Sequence, residues 1–469
     1  MKAEHSSLAL EQRFFEKLGS IIKGNCQDGV TNGLAVAFSG GLDSTVLLDL
    51  AVRYCRHFGH PLFAFHIHHG LSPNADAWLQ HCQLICDAYG VRLLAEKITV
   101  PTTGGEGVEA SARAGRYRAL GQLAQHLQIG LILTAHHQDD QAETLLLQLL
   151  RGSGVAGMSG MDECHRAQSL FGTDKLLLAR PLLTEKRAAL DAYAAASNLS
   201  HIEDESNTDP RYLRNAIRHQ VMPVLENLSA GYSERLARSA IHFQSAQEVL
   251  IEVAAQDLAA CAIEGGLSLP AMQALSEARR DNLFRYWFAQ AGIRMPTTSR
   301  LKEMQSQLFT GREDAKITVH HDNRAIHRHQ GGVYLEHAQD RDAVRDLALN
   351  IEWRGQAAMH CPEFGGTLYF EAGDEGIATA WLQQQTLSLH LRRGGERLKL
   401  AENRPTRDMK SHFQSLRIPF WQREKLPYLS VGKDLVFAAG VGMQSRFCTK
   451  EAGQCIRLSW AFDAALHSP

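Results

Sequence analysis

Leu34-Ala-Val-Ala-Phe38, running directly into Ser39-Gly40-Gly41-Leu42-Asp43-Ser44, is the stretch on which the reading of this chain turns. The first five residues are apolar and end at small residues, as a buried strand does. From Ser44 to His57 the apolar spacing becomes helical. The loop between them is glycine-rich, so its backbone can bend tightly and present successive N–H groups as an anion nest. The helix start behind it adds partial positive charge, which favours phosphate oxygens. Ser39 and Ser44 carry hydroxyl donors, and Asp43 can hold an Mg²⁺ that bridges phosphates. A Walker A lysine is missing, so this is a phosphate loop of another kind. An ordinary glycine turn with an Asp or Ser cap is the plainer alternative.

Working outward, further apolar runs lie at Leu62–Ile67, Val91–Ile98 and Leu131–Thr134, alternating with helical patterns at Ser44–His57, Asp76–Tyr89, Glu109–Gln128 and Asp140–Leu150. Strand–helix alternation of this kind predicts an α/β fold built on a doubly wound parallel sheet. Leu176–Pro181 and a helix over 184–197 close that region. Residues 212–310 read as helical, 316–371 as short strands broken by glycine, and 385–469 as a last mixed segment.

A chain of 469 residues is too long for one core, and 44% hydrophobic with 21% charged residues suits a globular protein. No apolar run approaches the ~18 residues that span a bilayer, so no membrane partner is expected. Nine scattered cysteines without a CxxC pair suggest free thiols in a reducing cytoplasm and argue against a zinc ribbon or iron–sulfur site. The net charge of −2 conceals an asymmetry: residues 381–469 carry 14 Lys and Arg against 7 Asp and Glu. A basic module on an acidic chain is a plausible dock for a polyanion; a solvated basic surface is the bland reading.

Other clusters carry chemistry of their own. In His136-His137-Gln138-Asp139-Asp140-Gln141-Ala142-Glu143, Asp140 and Glu143 fall on one helix face, at a strand end that a parallel sheet brings beside the phosphate loop. A capping box from Asp140 to Glu143 is the structural alternative. Arg113 and Arg116 lie one turn apart in EASARAGRY and suit phosphate oxygens, against a simple Glu109–Arg113 surface pair. His66 and His68 share a strand face without a third metal ligand at diagnostic spacing. Gly152-x-Gly154-x-x-Gly157 mimics a dinucleotide fingerprint but follows a helix, and reads as a rim loop. Arg211, Arg214 and Arg218 form one basic helical stripe, either solvated or set against a nucleic-acid backbone.

SGGLDS in this setting resembles the signature of the N-type ATP pyrophosphatases, which cleave ATP between its α- and β-phosphates. SGGLDS, EASARAGRY, AHHQDDQAET with RGSGVAGMSGM, and EDESN…RNAIR, in that order over roughly residues 34–218, resemble the tRNA(Ile)-lysidine synthetase family. Gly395-Glu396-Arg397, Lys410, Ile418-Pro419 and Arg423…Pro427 look like that family's C-terminal domain. One departure is visible: His68 and Ser72 stand where the family often has Asn and Arg.

The resemblance implies an adenine nucleotide α-hydrolase-like catalytic domain over 1–220, a mainly helical middle domain over 221–345 with tRNA contacts, and a basic, small α+β tRNA-binding domain over 346–469. It implies a ligase using ATP and Mg²⁺ to adenylate carbon 2 of the wobble cytidine in the CAU-anticodon isoleucine tRNA. Free L-lysine then displaces AMP to form lysidine. In that scheme Asp43, Arg113, Asp140 and Glu143 are catalytic, and Asp43 holds the metal. Ser39, Gly40, Gly41, Leu42, Asp43, Ser44 and Arg116 bind the nucleotide. A homodimer is left open. The rivals are a sulfur-inserting tRNA enzyme, which usually needs paired cysteines, a nucleotide sensor without turnover, and an amidotransferase-type synthetase.

Overall fold

The computed structural model describes residues 2–25, 32–68, 70, 74–99, 108–173, 175–203, 211, 213–311, 317–337 and 347–463. Cys26, His69, Ser72 and the run Asp204–Asn207 lie outside them, as does the side chain of Glu109. Two compact units emerge, Met1–Val249 and Leu250–Pro469, with the division falling inside the helix Tyr232–Cys261.

In the first unit β1 (Leu34–Ala37), β2 (Leu62–His68), β3 (Arg92–Lys97), β4 (Leu131–Leu133), β5 (Cys164–Arg166) and β6 (Leu177–Ala179) form one sheet, ordered β3-β2-β1-β4-β6-β5. Every neighbouring pair is parallel except β5 on β6, at the edge. β1 is apolar throughout because both its faces are covered. Leu34 and Val36 enter one core with Leu131 and Leu133, while Ala35 enters the opposite core with Ile132 and Leu178.

Helices α1 (Lys2–Asn25), α2 (Leu42–Phe58) and α3 (Ala75–Tyr89) supply Phe14, Val46 and Cys82 to the first core. Helix α4 (Val108–His126) supplies Tyr117 and Leu120 to the second. The doubly wound sheet read from the sequence is therefore the one observed. The strand order reverses between β1 and β4, so the loops leaving those two strands flank one crevice, the usual ligand position in such sheets. Helix α5 (Gln138–Leu150) starts there. The glycines at 152–157 follow α5 rather than a strand; Gly152 takes φ +67° and a single helical turn, Val155–Met158, comes next.

The second unit holds two cores. Phe284, Phe288, Leu301 and Met304 pack from helices Glu277–Gln290 and Thr298–Thr310 against an antiparallel sheet that includes Ile317–His321, Arg324–His329 and Gly332–His337. Ile351, Leu368, Leu387, Phe413, Phe437 and Leu458 share the other, in a mostly β region where Gly366–Ala378 pairs with Cys448–Phe462. Among the described residues no helix is long and apolar enough to cross a membrane.

Candidate active site

The phosphate loop is braced from within and from behind. The Ser39 N–H donates to Ser44 Oγ at 3.3 Å, and the Ser44 hydroxyl donates to the Gly41 carbonyl at 2.9 Å. Thr45 donates to the same carbonyl at 3.0 Å. Behind the loop, the Ile202 N–H donates to the Gly40 carbonyl at 2.9 Å. Gly40 takes φ +83°, and a Cβ there would sit 2.8 Å from Ile202 Cδ1 and 2.9 Å from Cys82 Sγ. Glycine is therefore required twice over, by conformation and by space.

Asp43 occupies the first turn of α2, where the helix terminus favours an anion. Its Oδ2 accepts from Arg187 Nη1 at 2.9 Å and lies 3.8 Å from His137 Nε2. Its Oδ1 is buried and has no hydrogen-bond partner among the described residues. Burial raises the Asp43 carboxyl above its ordinary value, opposed by His137 and Arg187. No group of three or more His, Cys, Asp or Glu with metal-binding geometry occurs among the described residues. Magnesium does not need one: it commonly takes one or two carboxylate oxygens and fills its octahedron with phosphate and water. Asp43 Oδ1, exposed to no other donor beside a phosphate loop, fits that single-carboxylate pattern.

Across the crevice His137 is the residue before α5, and its backbone N–H donates to Asp140 Oδ2 at 3.0 Å. Asp140 thus caps the helix from its third position rather than from its start, which corrects the register of the box read from the sequence. Capping uses one oxygen only. Asp140 Oδ1 accepts from Arg214 Nη2 at 3.0 Å and Arg218 Nη2 at 3.2 Å. Glu143, 1% exposed, accepts from Arg214 Nε at 2.8 Å, Arg218 Nε at 2.6 Å and Arg218 Nη2 at 3.0 Å. Burial pushes the Asp140 carboxyl up, but His137, His136 and Arg214 outweigh it and leave it at about 2.

The stripe read as either solvated or set against a nucleic-acid backbone is therefore divided. Arg211 is exposed, whereas Arg214 and Arg218 turn inward onto the carboxylate pair. A π-helical turn, Ile217–Val221, follows the short helix Leu213–Ala216, and Ile217 packs on Ala142 of α5. Such turns recur at functional sites.

Arg113 and Arg116 are exposed on α4, and the Arg113 guanidinium stands 5.2 Å from the Tyr117 ring centroid. Arg113 is close enough to bear on His136, whose imidazole burial pushes down to about 3. His66 Nδ1 lies 3.0 Å from the Phe38 carbonyl, and His68 Nε2 lies 3.0 Å from Asp76 Oδ1. His66 thus braces the strand end that leads into the loop, whereas His68 pairs with the exposed Asp76. Sequence reasoning missed Arg187, Ile202 and the placement of the His137 ring between Asp43 and Asp140. The Arg187–Asp43 pair spans 144 residues, a separation that leaves no local periodic signal.

A braced glycine loop at a sheet's switch point, with an acidic residue in the first turn of the helix behind it, is the arrangement of a PP-loop nucleotide-binding protein, and residues 10–225 match the family described as PP-loop domain. Residues 267–334 match the TilS substrate binding domain and 387–460 the TilS substrate C-terminal domain. The tRNA(Ile)-lysidine synthase of Burkholderia pseudomallei is 38% identical, covering 92% of this chain and 93% of that one. That of Ralstonia nicotianae is 39% identical over 87% and 88% respectively, and that of Haemophilus influenzae 34% over 90% and 97%. The chain belongs to the tRNA(Ile)-lysidine synthase family.

Proposed function

We propose that the protein is an ATP-dependent ligase that converts the wobble cytidine of the CAU-anticodon isoleucine tRNA to lysidine. The observation that carries this reading is one crevice holding Asp43 at its phosphate loop and the Asp140–Glu143 pair opposite, with His137 between them at 3.8 Å from Asp43 and 3.4 Å from Asp140. The cytidine 2-oxygen attacks the α-phosphorus of ATP, and pyrophosphate leaves. The amine of free lysine then attacks carbon 2, and AMP leaves with the bond electrons.

The loop N–H groups of Ser39–Ser44 hold phosphate oxygens in line for the first step. Asp43 Oδ1 is the oxygen available to Mg²⁺, which when bound neutralises charge on the phosphates. Arg113 and Arg116 are assigned to the nucleotide end on residue type and motif. Asp140 and Glu143 are assigned to the lysine amine, which titrates near ~10.4 in water: the pair binds the ammonium and takes up the proton it must lose before attack. Their oxygens are occupied by Arg214 and Arg218, so an incoming ammonium exchanges for guanidinium, charge for charge.

Residues 1–220 are assigned to catalysis, with tRNA held by the middle region and by the 346–469 segment, whose basic excess lies in 381–469 and where phosphate contacts supply affinity. The eight described cysteines, none in a disulfide, suit a reducing compartment such as the cytoplasm. The test separates the two steps. Asp43→Asn should stop pyrophosphate release, whereas Glu143→Gln should still release pyrophosphate with tRNA present but fail to incorporate lysine. Normal incorporation by folded Glu143→Gln would remove the carboxylate pair from the second step.

A further inference from the structure

Arg187 opens the helix Arg187–Ala196 on the far side of the fold's chain order from Asp43, yet its Nη1 donates to Asp43 Oδ2 at 2.9 Å. Its Nε donates to Asp191 Oδ1 at 3.2 Å, which fixes the guanidinium from behind. His137 Nε2 approaches the same Asp43 oxygen at 3.8 Å. Both nitrogen contacts described for Asp43, from Arg187 and from His137, therefore fall on Oδ2. Among the described residues Oδ1 is left buried without a hydrogen-bond partner.

That division of labour has a chemical consequence. A carboxylate with one oxygen tied to a guanidinium offers the other as a one-oxygen ligand and resists binding a metal through both. Small octahedral cations take one oxygen per carboxylate, whereas Ca²⁺ accepts six to eight ligands and often uses both oxygens.

We propose that Arg187 is a positioning residue that holds the Asp43 carboxylate in one-oxygen presentation, so that the site selects a small octahedral cation over Ca²⁺. The inference rests on Asp43 being the metal-holding residue.

The test uses the full-length protein with α,β-methylene-ATP, which blocks turnover, and follows Mn²⁺ by electron paramagnetic resonance, with Ca²⁺ as competitor. Arg187→Met should weaken Mn²⁺ binding by about 10-fold or more, the usual cost of losing an orienting partner. Ca²⁺ should then compete better relative to Mn²⁺ than in the parent. Arg187→Lys, which keeps a donor at that end, should restore most of the affinity and selectivity. Thermal melts establish that each variant is folded. Folded Arg187→Met with unchanged Mn²⁺ affinity and unchanged Mn²⁺/Ca²⁺ preference would overturn the proposal. Asp43→Asn separates this failure from a deeper one: loss of Mn²⁺ there with no change in Arg187→Met sinks only the role of Arg187, while retained Mn²⁺ in Asp43→Asn removes Asp43 as the ligand.

Discussion

Glu143 is 1% exposed and accepts three hydrogen bonds from two guanidiniums, so it cannot be removed quietly. Truncating one side of a buried ion pair leaves uncompensated charge and commonly costs ~3–5 kcal/mol. Glu143→Ala should lose stability on that order in urea denaturation; a loss below about 1 kcal/mol would mean the cluster is open to water. Asp140 behaves differently with pH. Its folded-state value, about 2, lies below the ordinary carboxylate value, so its contribution is fully present above ~4 and is lost as pH falls towards 2. Asp140→Asn should accordingly flatten the acid limb of a stability–pH curve. His136, pushed down to about 3 by burial, stays neutral at physiological pH and should leave no inflection near 6.5 in an activity profile. Asp43 carries the opposite bias, since burial raises its carboxyl and ionisation works against the ligand-free fold. Asp43→Ala should reduce turnover by at least ~10²-fold while the ligand-free protein melts no lower than the parent.

At the scale of elements, the loop after β1 was legible because its requirements are local. A buried strand, two glycines and a helix start are contiguous in the chain, and their geometry follows from residue size and backbone freedom. Gly40→Ala should shift the loop against Ile202 and Cys82, costing ~1–3 kcal/mol and weakening nucleotide binding together. Asp140 and Glu143 were legible as a pair on one helix face, but not as a pair clamped by arginines. The spacing of Arg214 and Arg218 defines a stripe; which way it faces depends on Ile217 packing against Ala142 and on the π-helical turn that follows. Arg187 was invisible for a related reason, because its partner is fixed only when the closing helix returns to the sheet. The phosphate loop could be read from its own neighbourhood, whereas the cations around it required the tertiary fold.

For the whole molecule, the basic run 381–469 does not coincide with a structural boundary. Ile351 and Leu368 share one core with Leu387, Phe437 and Leu458, so cutting at 381 would split that core. Removing 347–469 keeps that core's residues together, at the cost of uncovering His327, on which Trp421 stacks. It should weaken tRNA binding and reduce its salt dependence, because fewer phosphate contacts release fewer counterions. Binding of an ATP analogue should persist, since the phosphate loop and its braces lie wholly within Met1–Val249. Unchanged tRNA affinity at moderate salt would remove the C-terminal region from the dock.

The most direct test of the account supplies the purified protein with Mg²⁺, ATP, labelled lysine and bulk bacterial tRNA. Label should enter tRNA only when ATP is present, with AMP and pyrophosphate appearing together in equal amounts. AMP and pyrophosphate without label in tRNA would preserve the nucleotide chemistry of the crevice and contradict lysine as the group that displaces AMP.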